Sequence, residues 1–132
     1  MSYTDLLVEQ SGGRLTIAIN RPDRLNAFRG VTLRELTEVF EQAADDPTVG
    51  VIVLTGVGDR AFCAGGDVQD PSADITQKRA GNHMVDRLGP AMRNNGKPII
   101  ARIRGYCIGG GNELNMVCDL SVSGESGRFG QA

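Results

Sequence analysis

Val49 to Thr55 reads Val-Gly-Val-Ile-Val-Leu-Thr, a nearly continuous β-branched run with no polar face. A strand of that kind must be covered on both sides, as strands of parallel sheets are. The residues before it say how such a sheet is built. Leu15 to Asn20 alternates, with Leu15, Ile17 and Ile19 on one face and Thr16, Ala18 and Asn20 on the other. Arg21-Pro22-Asp23 stops that strand, because proline cannot donate to a central ladder. From Thr32 to Ala44, Leu33, Leu36, Val39, Phe40 and Ala43 recur at three- and four-residue spacing, which predicts an amphipathic helix. Thr32-Leu33-Arg34-Glu35 has the form of a capping box at its start, and Asp45-Asp46-Pro47 ends it. Strand, helix and strand with short connections make a right-handed βαβ unit, so the sheet is at least partly parallel.

The remaining segments are read on the same grounds. Leu6 to Gln10 is a strand joined to the second through Ser11-Gly12-Gly13. Gly56 to Asp67 is loop, and Ile75 to Met92 a weaker, more polar helix. Pro98 to Ile103 is another buried strand, Asn112 to Val117 a short apolar helix, and Leu120 to Ser123 a final short strand. No linker or repeat divides the 132 residues, which suffice for one domain. The pattern stops without a closing helix over one face of the sheet, so a second layer is expected from another chain or from further sequence.

Charge and composition exclude several functions. Fourteen basic and sixteen acidic side chains leave a net charge of −2, with no basic cluster of the kind that tracks nucleic acid. Arg102 and Arg104 read as a solvated face. Three cysteines (Cys63, Cys107, Cys118) and a single histidine, His83, lack metal-ligand spacing, so no metal site is expected. Reduced thiols, no visible secretory leader and no apolar run of membrane-spanning length point to a soluble, cytoplasmic protein.

Glycine is abundant, 18 residues, and clustered. Ala61-Phe62-Cys63-Ala64-Gly65-Gly66-Asp67 and Ile108-Gly109-Gly110-Gly111-Asn112-Glu113-Leu114 each follow a buried strand and precede helical sequence. Ligands of α/β sheets bind just beyond such strand ends. Without Cβ atoms, backbone N–H groups can approach a ligand closely, and the second loop opens a helix whose first N–H groups lack partners. Two N–H groups converging on one oxygen form an oxyanion hole. Either loop alone could equally be a tight turn, and no Lys-Ser or Lys-Thr follows the Gly-Gly-Gly as a phosphate loop requires.

Taken together, in this order and spacing, the segments resemble the enoyl-CoA hydratase/isomerase (crotonase) superfamily. Ile19-Asn20-Arg21-Pro22, Leu25-Asn26-Ala27-Phe28, Ala61 to Asp67, Lys97 to Ala101, Gly105 to Gly111, Cys118-Asp119-Leu120 and Phe129-Gly130-Gln131 carry the likeness along essentially the whole chain. It implies an α/β fold of the crotonase (ClpP-like) type, a spiral of ββα turns truncated here before the C-terminal helices. It also implies a homo-oligomer, a trimer or a hexamer. The substrate would be an acyl-CoA thioester, coenzyme A entering as part of the substrate, with no separate cofactor, nucleic acid or membrane partner.

By the same resemblance, Ala64 and Gly110 would supply the oxyanion-hole N–H groups. Arg24, Leu25, Ala27, Ala64, Gly65, Gly66, Asp67, Tyr106, Gly109 and Gly110 would border the thioester and coenzyme A. Glu113 lies one helical turn beyond Gly110 and would position and activate the water added across a 2-enoyl double bond; alternatively it merely complements the helix dipole. Asp67 could instead cap the next turn, Tyr106 could be plain core, and Cys63 reads as a space-filling thiol because no histidine stands ready to activate it. His83 reads as a surface residue without a partner. The second carboxylate of the hydratases would fall just beyond Ala132. Hydration is the expected reaction. The flanking residues Asn26 to Gly30 are similar to the ring-forming and ring-cleaving branch, such as 1,4-dihydroxy-2-naphthoyl-CoA synthase or 2-ketocyclohexanecarboxyl-CoA hydrolase. An inactive truncated paralogue serving as an interaction module is the alternative from another class.

Overall fold

A computed structural model describes residues 2–69 and 83–131. Its backbone is a five-stranded sheet, a helical layer on one face, and a smaller three-stranded sheet at one end. β1 (Leu6–Ser11) and β2 (Arg14–Ile19) form an antiparallel hairpin. β2 then runs parallel to β3 (Val51–Gly56), with Ile17 opposite Leu54. β5 (Ile99–Ile103) and β7 (Leu120–Ser123) extend the sheet in parallel, giving the order β1-β2-β3-β5-β7. The predicted βαβ unit is therefore present.

Helix α1 (Gly30–Ala44) seals the inner face. Leu33, Leu36 and Phe40 are fully buried against Ile17, Ile19, Ile52, Leu54 and Ile99. Each such side chain contributes ~2 kcal/mol of transfer free energy. The helix begins two residues earlier than its apolar period suggests. Its start is not the expected Thr32–Glu35 box: the Arg29 N–H donates to Thr32 Oγ1 at 3.1 Å. The Glu35 carboxylate turns away to accept the N–H groups of Thr4 and Asp5, both at 2.7 Å. Glu35 thereby ties the chain ahead of β1 to the helix.

Of the expected helix from Ile75 to Met92, the part before residue 83 lies outside the described residues. From His83 the chain is helical, passing through a π-helical turn (Met84–Leu88) into α2 (Gly89–Arg93). His83 is half-buried and has a partner, which corrects its reading as a lone surface residue. Its Nε2 lies 2.6 Å from Thr37 Oγ1. That hydroxyl donates to Leu33 C=O at 2.8 Å, so it accepts from the imidazole N–H.

Three strands went unread. β4 (Ala61–Cys63), β6 (Tyr106–Ile108) and β8 (Arg128–Gly130) form the small parallel sheet in the order β4-β6-β8. Three residues are too few to carry a periodicity. Cys63 and Cys107 are paired across it and wholly buried. The small sheet delivers the ends of β4 and β6 to the same place. Helix α3 (Gly110–Val117) starts there.

Candidate active site

Beyond β4 the chain turns at Gly65, whose φ of +100° lies in the region that only glycine adopts without strain. A Cβ at Gly65 would stand 3.5 Å from Gly110 N and 3.1 Å from Ile108 O, so the two glycine loops are in direct contact. The approach is closer still one residue on. A Cβ at Gly111 would come within 2.0 Å of Cys63 O.

The directions of the N–H groups follow from what they bond. Ala64 N–H donates to Leu25 C=O at 3.1 Å. Phe28 N–H donates to Gly65 C=O at 2.8 Å, and Asp67 N–H to Phe28 C=O at 2.9 Å. These bonds on either side of Gly66 form a parallel bridge to Phe28 and leave the Gly66 N–H on the opposite side, with no acceptor among the described residues. The assignment of Ala64 as an oxyanion donor is corrected accordingly: its N–H is already engaged, and the open donor of this loop is Gly66. Residue spacing cannot reveal this, because N–H direction is set by the partner strand. In the second loop, Gly109 N–H donates to Gly130 C=O at 2.9 Å, whereas Gly110 N–H lies in the first turn of α3 and has no intrahelical acceptor.

Next to Gly66 is an open cleft of about 270 Å³ lined by Arg24, Leu25, Ala27, Ala64, Gly66 and Asp67 together with Asp23, Val68 and Gln69. Six of the residues expected to border coenzyme A thus share one surface. Gly65 is buried behind it. Gly109, Gly110 and Glu113 belong to the adjoining loop and helix. Tyr106, on β6, is 43% exposed and is neither core nor part of this cleft.

The cleft wall is unusual backbone held by buried polar groups. Leu25 and Asn26 are both left-handed, with φ of 53° and 55°. Asparagine tolerates this conformation, but leucine does so only at a cost of ~1–3 kcal/mol. Asn26, 1% exposed, offsets that cost. It accepts Arg21 N–H at 2.9 Å and donates to Val57 C=O at 3.1 Å and Ala61 C=O at 2.8 Å. Arg21 fixes the other side, donating to Ala27 C=O at 2.6 Å and pairing with Asp67 at 3.0 Å. Asp67 also accepts Gln69 N–H at 3.0 Å, so it does cap its turn.

Behind Arg21 lies Asp5, 2% exposed, bonded by Arg29 Nε and Nη2 at 2.9 and 2.8 Å and by Thr32 Oγ1 at 2.6 Å. Burial alone would raise the Asp5 pKa. Hydrogen bonds from Arg29 and Thr32, then the charges of Arg29 and Arg21, outweigh burial and hold it below its ordinary value. Sequence reading missed Asp5, Arg21 and Asn26 as supports. A polar residue beside a turn looks alike whether solvated or buried.

Glu113 projects from the first turn of α3 and is exposed; its Oε1 accepts Gln131 Nε2 at 3.1 Å. Burial pushes the Cys63 thiol beside the loop up to about 12, consistent with a space-filler rather than a nucleophile. Among the described residues no group of three side chains gathers as metal ligands, and no helix is long and apolar enough to cross a membrane.

This arrangement of a mixed and a parallel sheet, with glycine loops meeting at the start of a helix, matches known proteins. Residues 9–132 match the model of the enoyl-CoA hydratase/isomerase family, and the chain belongs to that family. It superimposes on an enoyl-CoA hydratase/carnithine racemase from Magnetospirillum magneticum with a TM-score of 0.89 and 34% identity, over 98% of this chain and 50% of that one. A carnitinyl-CoA dehydratase from Mycobacterium avium 104 matches with a TM-score of 0.81 and 33% identity, over 96% of this chain and 50% of the other. For an enoyl-CoA hydratase from Mycobacterium avium subsp. paratuberculosis K-10 the TM-score is 0.83 and the identity 29%, over 98% and 50%. The crotonase-type fold is thus established, and the chain spans about half the length of these relatives.

Proposed function

We propose that the protein binds an acyl-CoA thioester and adds water across a 2-enoyl double bond, with the N–H groups of Gly66 and Gly110 holding the enolate oxygen. One observation carries this reading: two glycine loops in contact, each with an N–H that has no acceptor among the described residues, beside a cleft. Such donors act where charge develops, and each is worth ~3–4 kcal/mol in the transition state. The cleft along Arg24, Leu25, Ala27 and Asp67 would take the coenzyme A moiety. Arg24, now donating to Gln69 Oε1 at 2.7 Å, is the cation available for a phosphate there.

Glu113 is the proposed base. Its carboxylate sits one turn beyond Gly110, on the helix that presents the second donor. It would take a proton from a water as that oxygen attacks the β-carbon and the enolate forms on the thioester oxygen, and the carboxyl so protonated would return the proton to the α-carbon. The relatives named as hydratase and dehydratase support addition and elimination of water over ring closure. A homotrimer or hexamer is part of this proposal.

The test is loss of the conjugated-thioester absorbance of crotonyl-CoA, with the protein expressed from its complete native gene. Turnover that falls about 100-fold or more in Glu113→Gln supports the reading, the usual range for losing a general base. Activity unchanged by that substitution removes Glu113 from the mechanism. Tight acyl-CoA binding without turnover of any enoyl-CoA would instead favour a ring-forming reaction or a binding module.

A further inference from the structure

Phe28 touches both glycine loops, in two different ways. Its backbone grips the first loop through Phe28 N–H to Gly65 C=O (2.8 Å) and Asp67 N–H to Phe28 C=O (2.9 Å). Its ring holds the second. A Cβ at Gly110 would lie 2.6 Å from Phe28 Cζ and 2.7 Å from Cε2, so the ring already fills the space where that side chain would stand. The residue is 6% exposed and belongs to the core cluster, which leaves the ring no room to swing aside. A rigid planar group anchored at one loop and pressed against the other fixes the distance between them.

We infer that Phe28 is a positioning residue that sets the separation of the Gly66 and Gly110 N–H groups, and with it the grip on the thioester oxygen. This rests on the oxyanion reading above. The physical reason for its importance is the steepness of the geometry. A donor displaced by about 1 Å from a developing oxyanion forfeits on the order of 100-fold in rate while ground-state binding changes little. The backbone bonds survive substitution, since any residue but proline supplies them, so a change at this position isolates the ring. Leucine is too short to reach Gly110. Methionine has similar volume but three rotatable bonds, so it keeps the core filled without a fixed spacing.

The experiment compares wild type, Phe28→Leu and Phe28→Met, each expressed from the complete gene and checked for folding by thermal melting. Isotope-edited infrared spectra of carbonyl-labelled butyryl-CoA report polarisation of the thioester by the two donors. Kinetics with crotonyl-CoA separate kcat from KM. Wild type should shift the bound carbonyl band to lower frequency. The variants should lose at least half of that shift and about 30-fold or more in kcat, with KM and the butyryl-CoA Kd within about threefold of wild type. If Phe28→Leu fails to fold, Phe28→Met gives the same reading. A folded variant that keeps the full shift and kcat overturns the role of Phe28 alone. So does one that raises KM with kcat unchanged, since the ring would then be only a wall of the cleft. Absence of any shift in wild type overturns the oxyanion reading itself, and this inference with it.

Discussion

Replacing Gly111 with alanine tests how closely the two glycine loops approach, because two opposing effects predict opposite signs. Gly111 lies in helix α3, where alanine is intrinsically favoured by ~1 kcal/mol. Its missing Cβ, however, would lie 2.0 Å from Cys63 O, 2.7 Å from Cys63 C and 2.9 Å from Cys63 Cβ. An unstrained carbon–oxygen contact begins near ~3.3 Å, so β4 and α3 would have to part by about 1.3 Å. The obstacle is backbone in a buried sheet, which cannot rotate away, and overpacking of that kind costs ~3 kcal/mol or more. Subtracting the propensity gain leaves a net loss of about 2 kcal/mol. Urea unfolding followed by circular dichroism should therefore show a lower midpoint at unchanged slope. Crotonyl-CoA turnover should fall about 100-fold, since the same parting displaces Gly66 from Gly110. Gly50→Ala is the control: its Cβ would meet only Gly13 O, at an ordinary 3.6 Å, and stability should stay within ~0.5 kcal/mol. A Gly111→Ala protein more stable than wild type would refute the close approach. Lost stability with full turnover would refute the placement of the site.

Asn26→Ala should cost about 3 kcal/mol in urea unfolding, because it strips a buried left-handed turn of three side-chain hydrogen bonds and leaves the carbonyls of Val57 and Ala61 short of a donor. Asp5→Asn should lower stability by about 2 kcal/mol at neutral pH and flatten its acid limb. The folded Asp5 pKa lies below its ordinary 3.8, so its stabilisation is complete above that value. It is lost as pH falls through the folded value, and a stability profile equally steep below 3.8 in wild type and variant would contradict it. Burial pushes the thiols of Cys63, Cys107 and Cys118 up to about 12, 11 and 12, so none should react with a charged disulfide reagent at pH 8 until denaturant is added. Rapid native labelling would mean that the small sheet opens.

The large sheet was legible because its strands and α1 are long enough to show a period: Leu15, Ile17 and Ile19 alternate, and Leu33, Leu36 and Phe40 share a stripe. What escaped was local and directional. Arg29-Gly30-Val31 does not read as a helix start, since glycine and a β-branched residue are poor formers; Thr32 compensates by accepting the Arg29 N–H. The small sheet has strands of only three residues, so its pairing arises only in three dimensions. Its motif residues are recognisable, yet the expected donor Ala64 has its N–H engaged by Leu25, and the proposed donor is Gly66. Composition says where backbone can approach a ligand. Only the partner Phe28 says which N–H faces outward.

The small sheet also has a kinetic consequence. Among the described residues β4 pairs with β6, far along the chain, and β6 in turn with β8, both pairings parallel. Such contacts come late in folding, because the intervening chain must close first and its loop entropy is lost before any hydrogen bond compensates. The glycine loops ride on these last-formed strands, whereas the hairpin of β1 and β2 can form early. Amide exchange should therefore find β4 and β6 opening at lower free energy than β2 and β3, so that a chain can be folded over most of its length while its donors are still apart.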